Sequence, residues 1–138
     1  MGQSRRRFVP LENFSDTEGR CQCGCGGAVG DEIMLRLQAF IRTLALVADP
    51  PIKCRVNSGF RCAKHNAAVG GAADSRHLHG DAVDVVFFRA DGSQIDNADV
   101  AVMARKSGLF TGIGYMQYAK QGKNLVHLDC RPGALVIW

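Results

Sequence analysis

Ser75-Arg76-His77-Leu78-His79-Gly80-Asp81-Ala82-Val83-Asp84, running on into Val85-Val86-Phe87-Phe88, is the densest stretch of chemistry in this chain. Asp81 to Phe88 is rich in valine and phenylalanine and reads as a strand. On that strand Ala82 and Asp84 share one face, while Val83 and Val85 share the other. A chain that turns at Gly80 brings His77 back to meet Asp84. Ala82 leaves the space beside Asp84 uncrowded, and Val83 and Val85 fix the strand in a core. A second segment, Val126-His127-Leu128-Asp129, has the same logic. In a strand His127 and Asp129 point the same way, about 7 Å apart, with apolar Leu125, Val126 and Leu128 around them.

Around these two segments the periodicity predicts the remaining elements. Ile33, Leu37, Phe40, Ile41, Leu44 and Ala48 follow helical spacing, so a helix is expected over 31–48. Asp31 and Glu32 suit its positive end, and Pro50 and Pro51 stop it. A strand over 53–57 and a brief helix over 63–69 follow. A helix capped by Asn97 or Asp96 runs to about Ser107, with Gly108 as its stop. Strands are expected over 112–116, 125–130 and 134–138, the last after the Pro132-Gly133 turn. Separate helices and closely spaced late strands imply an α+β fold with a mainly antiparallel sheet. Residues 1–30 read as an irregular arm packed on the domain, and 31–138 as the domain itself. With 138 residues and 14.9 kDa there is room for one core.

Composition excludes several classes. With 46% hydrophobic and 22% charged residues the chain is globular rather than disordered. The apolar run Leu44 to Ala48 is stopped by Asp49, so no membrane insertion is expected. Arg5 to Arg7 are not followed by the apolar stretch and cleavage site of a secretory leader, which predicts synthesis in the cytoplasm without one. The net charge of +4 favours an anionic surface, but the bases are otherwise scattered and form no nucleic-acid stripe. All three glutamates (Glu12, Glu18, Glu32) lie early, so later carboxylate chemistry must use aspartate.

The six cysteines stand at 21, 23, 25, 54, 62 and 130. Disulfides, free thiols and metal binding all remain open for them. The Cys21-x-Cys23-Gly24-Cys25 run lacks the two-residue gap of common zinc knuckles, which weighs against structural zinc.

A catalytic zinc typically takes three protein ligands and leaves a fourth position for water. His77, Asp84 and His127 offer such a set, with His79 as an alternative to His77. Asp129 would stay unligated, near enough to take a proton from the activated water, and Arg61 would stabilise the oxyanion. His65, beside Lys64 and Asn66, reads as solvated. The bland alternatives are a satisfied His-Asp pair on a strand, a loop histidine and a structural salt bridge at Arg61. Spacing alone does not separate them from a zinc site.

Ser58-Gly59-Phe60-Arg61, Ser75-x-His77-x-x-Gly80-x-Ala82-x-Asp84 and Val126-His127-x-Asp129 together resemble the zinc D-Ala-D-Ala carboxypeptidase family. That family also contains the L-alanyl-D-glutamate endopeptidases of bacteriophage lysis. Asn13-Phe14-Ser15 and the cysteine run look like a subgroup of small single-domain members, and the likeness spans about 12–131. The resemblance implies a hedgehog/DD-peptidase-like fold and one zinc ion on His77, Asp84 and His127. It also implies that Arg61 and Ser75 meet the substrate, with Phe60 replacing a usual tyrosine. Several members carry a glutamate base three residues before the last histidine. Here Asn124 stands there, and the His-x-Asp ending suggests Asp129 instead. The implied substrate is a peptidoglycan stem peptide, met at the cell wall by a monomer, with release during phage lysis as the context. A non-catalytic wall-binding or phage structural module of the same fold is the competing expectation.

Overall fold

The computed structural model describes residues 21–25, 27–48, 51–72 and 75–138. Helix α1 (Asp31–Leu44) presents Ile33, Met34, Leu37, Phe40, Ile41 and Leu44 on one buried face. After it come strand β1 (Lys53–Ser58), helix α2 (Ala63–Ala68), a single 3-10 turn (Arg76–His79) and strand β2 (Ala82–Phe88). Helix α3 (Asn97–Ser107), strand β3 (Gly112–Gly114), helix α4 (Met116–Lys120), strand β4 (Val126–Asp129) and strand β5 (Val136–Ile137) complete the order.

The five strands form one sheet in the order β1-β2-β4-β3-β5. Three neighbouring pairs are antiparallel and only β3 with β5 is parallel, so the sheet is the mainly antiparallel one that the sequence predicts. Register decides what each face carries. Val83 lies opposite Leu128 and Val85 opposite Val126; with Phe87 and Ile113 these side chains join the core under α1 and α3. On the other face Asp84 lies opposite both Ser58 and His127, and Ala82 opposite Asp129. The period-two alternation thus separates an apolar face from a polar one, and β2 is buried on both.

Phe40 sits at the centre of the core. It is fully buried and meets Phe87 and Phe110 edge-on, with ring centroids 5.6 and 5.4 Å away. Cys21 and Val29, before α1, are buried in the same cluster. The first twenty residues of the expected arm, Asn13-Phe14-Ser15 among them, lie outside the described residues.

The structure departs from expectation at several boundaries. Helix α1 ends at Leu44 rather than 48, and 45–48 continue only as hydrogen-bonded turns. Leu46 and Val47 face solvent, so no buried stripe sustains the helix there. The strand expected over 112–116 stops at Gly114. The Trp138 carbonyl accepts from the Tyr115 and Met116 amides, and the chain turns into α4. The start of α3 has no cap from its own Asp96; Asn124 supplies one from a distant loop, its Oδ1 accepting from the Asn97 amide.

Phe40→Ala should lower unfolding free energy by about 3–5 kcal/mol in a denaturant titration, since truncating a buried aromatic loses both burial and packing. Phe40→Leu should cost much less.

Candidate metal centre

Three elements bring the expected ligands together. Strands β2 and β4 set Asp84 beside His127 through their register. His77 arrives on the 3-10 turn, where the Ser75 hydroxyl accepts from the His77 amide and the chain turns at Gly80. The Arg61 amide donates to the His77 carbonyl at 3.0 Å, tying the turn to the segment after β1. All three side chains are buried, and their ligand atoms lie within 4.8 Å of one another.

The outward nitrogen of each imidazole is already committed. His77 Nδ1 donates to the Gly59 carbonyl at 2.7 Å, which leaves Nε2 facing Asp84 Oδ2 at 3.3 Å. A carbonyl can only accept, so Nδ1 carries the proton and a neutral His77 presents a lone pair to the carboxylate. His127 Nε2 is 2.8 Å from Asp129 Oδ2, and its Nδ1 is 3.1 Å from Asp84 Oδ1. Two imidazoles therefore aim their remaining nitrogens at one carboxylate. Unless both rings are doubly protonated, that geometry opposes lone pairs, and a cation between them relieves it. Two nitrogens and one oxygen, with the far side of each ring anchored, are a donor set that suits zinc.

Charge follows the same pattern. Burial opposes ionisation of Asp84, but the His127 and His77 contacts outweigh it and hold the carboxyl well below the usual range. Asp129 is likewise depressed despite burial, through His127 and Arg131. Burial pulls His127 down, while Asp129 and Asp84 more than reverse this and raise it above its ordinary value.

The site opens into a cleft of about 670 Å³ whose lining includes His77, His127, Arg61, Ser75, His79 and Tyr118. Arg61 reaches Asp84 Oδ2 with Nη2 at 3.5 Å and is braced by Ser58 Oγ and Asn66 Oδ1. Ser75 lines the cleft, but its hydroxyl also serves the His77 turn. His79 lines the cleft outside the converging donors. His65 is partly buried rather than fully solvated, and its amide donates to Cys62 Sγ. Asn124 has no part in the site; besides capping α3, it donates to the Ile95 carbonyl.

Asp129 lies next to His127 rather than among the converging donors. It is fully buried behind the His127 ring, on the side away from Asp84. Arg131 clamps it through Nε, Nη2 and its backbone amide, at 2.6 to 3.1 Å. Both oxygens are engaged, one of them by the His127 ring.

Three participants escaped the sequence reading. Arg131 follows Asp129 by two residues, a strand-like spacing that signals a shared face. Trp138 leans on His127 at 5.1 Å and lies under the Arg131 guanidinium at 4.9 Å, a contact that carries no local sequence signal. Tyr118 enters from α4, where the sequence predicts no helix; burial and the nearby Asp84 charge push its phenol up to about 12, so it stays protonated.

A buried His-Asp-His set at the floor of an open cleft is the arrangement of a mononuclear metalloenzyme. The chain belongs to the M15 peptidases: the family model described as Peptidase M15 matches residues 12–129, most of its length. This is a family of zinc-dependent metallopeptidases, in agreement with the donor set. A search of curated proteins finds no match. No helix among the described residues is long and apolar enough to cross a membrane.

Asp129→Asn should weaken zinc binding about 10–100-fold in a chelator competition, the usual effect of removing a carboxylate that orients a ligand histidine. Unchanged zinc affinity with a collapsed turnover would instead return Asp129 to the role of base.

Proposed function

We propose that this protein is a zinc peptidase that hydrolyses a peptide bond in peptidoglycan stem peptides, with His77, Asp84 and His127 holding the ion. The observation that carries the reading is the convergence of three buried donors whose outer faces are anchored by Gly59 and Asp129. Zinc held there supplies Lewis acidity for the scissile carbonyl and makes a water nucleophilic near neutral pH.

The chain's own residues do the rest. Arg61 is held at the edge of the donor set by Ser58, Asn66 and Asp84, with its charge ready for an oxygen that turns negative. Tyr118 keeps its proton and adds a neutral hydrogen-bond donor to the same cleft. Asp129 and Arg131 fix the His127 ring.

In this reading the proton acceptor is a titratable side chain of the cleft that lies outside the donor set. Arginines do not accept protons, Tyr118 retains its own, and His77 and His127 belong to the donor set. His79 remains and is assigned the task in this reading. Ser75 supports substrate indirectly, through the turn that it caps.

A mildly basic protein suits a polyanionic cell wall, and the proposed setting is lysis by a phage whose release machinery brings the enzyme there. The test is mass analysis of purified peptidoglycan after incubation with the protein, with and without a zinc chelator. New stem-peptide fragments that vanish with chelator are expected, and their masses identify the bond. Intact peptidoglycan beside zinc-loaded protein would favour a wall-binding module. Arg61→Ala should cost about 100- to 1000-fold in turnover, the loss typical of a missing oxyanion donor, with zinc retained. His79→Ala should likewise lower turnover while leaving zinc content unchanged.

A further inference from the structure

A second set of converging ligands lies apart from the first. Cys21, Cys23 and Cys25 sit on the tight turn before α1, and Cys62 sits at the start of α2. Their four sulfurs lie within 4.8 Å of one another. Cys21 Sγ is 3.3 Å from Cys23 Sγ and 3.8 Å from Cys62 Sγ, and Cys23 to Cys62 is 3.5 Å. We propose that these four cysteines bind a structural zinc ion, separate from the His-Asp-His centre.

Distance separates metal binding from disulfide pairing. A disulfide brings sulfurs to about 2.05 Å and consumes two thiols at a time, which would not gather four around one point. In a tetrahedral site with Zn–S bonds of about 2.3 Å, neighbouring sulfurs are about 3.8 Å apart. The three separations lie close to that edge length.

The local backbone accounts for how a run without the usual two-residue gap achieves this. Gly24 has φ of 81°, a left-handed conformation that reverses the chain between Cys23 and Cys25. The Gly24 amide donates to the Cys21 carbonyl, and the Cys21 amide to the Gly27 carbonyl at 2.7 Å, so the turn closes on itself. In an extended chain Cys23 and Cys25 would be carried about 7 Å apart; here all three sulfurs face one centre.

Backbone amides also point at sulfur. Gly27 donates to Cys25 Sγ, Cys62 to Cys21 Sγ and His65 to Cys62 Sγ, at 3.4 to 3.5 Å. Amides that donate to sulfur are outer contacts of the kind that orient a metal's ligands. Four protein ligands leave no open position, so the ion is structural rather than catalytic. It would fasten the segment before α1 to Cys62, next to Arg61.

The full-length protein, purified under reductant, is the material for the test. Elemental analysis and native mass spectrometry should find two zinc ions per chain. Replacement with cobalt(II) should give thiolate-to-cobalt charge-transfer absorption in the near ultraviolet. The His-Asp-His centre contains no sulfur and cannot produce that band, so the wild-type spectrum decides even if cysteine variants fail to fold. A His77→Ala/His127→Ala variant should keep one equivalent of metal and the whole band, and Cys23→Ser/Cys25→Ser should keep one equivalent and lose the band. A single zinc per chain with no thiolate band, or a mass lowered by disulfide formation in the reduced preparation, would overturn the proposal. Neither result depends on peptidase activity.

Discussion

The antiparallel pairing of β2 with β4 is the constraint from which the rest of the site follows. It sets Asp84 directly against His127 and Ala82 against Asp129, while Val83 and Val85 meet Leu128 and Val126 on the opposite face. A slip of β4 by one residue would turn His127 and Asp129 into the core and carry Val126 and Leu128 to the opposite face, away from Val85 and Val83. The hydrophobic effect therefore holds the metal ligands in register: every core contact made by the valines also fixes the spacing of Asp84 and His127. His77 depends on this frame as well, since its turn runs straight into β2.

Strand β3 shows how closely the polar face is packed. Gly112 lies opposite Asp129, and a Cβ there would come within 2.1 Å of the carboxylate. Gly114 lies opposite His127, and a Cβ would press on the Trp138 indole at 2.6 Å. Neither is a flexible loop glycine; each yields its side-chain volume to a neighbour that supports His127. Asp129, Arg131 and Trp138 thus form a continuous backing for one ligand ring, with Asp129 buried and saturated with hydrogen bonds and Arg131 partly exposed above it. Breaking such a pair from one side leaves a buried charge without its partner, which is far costlier than losing an exposed bridge.

Much of this was legible in the sequence, for identifiable reasons. Helix α1, α3 and the strands around Asp84 and His127 carry strong periodic signals, and alternation along β2 and β4 separates ligands from core without any knowledge of pairing. The convergence of His77 with Asp84 could be read because a single turn joins them. The surroundings of Asp129 could not, because they depend on which nitrogen of His127 it meets and on Arg131 closing over it. Helix α4 was hidden in a five-residue segment with no buried face, and the cap that Asn124 gives α3 joins residues 27 apart in sequence. The gathering of the cysteine run could not be read from its spacing, since it depends on a left-handed Gly24 and on Cys62 arriving from a distant segment.

Trp138 is the single tryptophan of the chain, and its ring leans on His127 while Arg131 covers its face. The protein's indole fluorescence therefore originates within van der Waals reach of one candidate ligand. An imidazolium and a neutral imidazole quench an excited indole to different degrees, so occupancy of the centre writes itself into the emission of the unlabelled protein. The residue that braces the site from behind is also its built-in optical gauge.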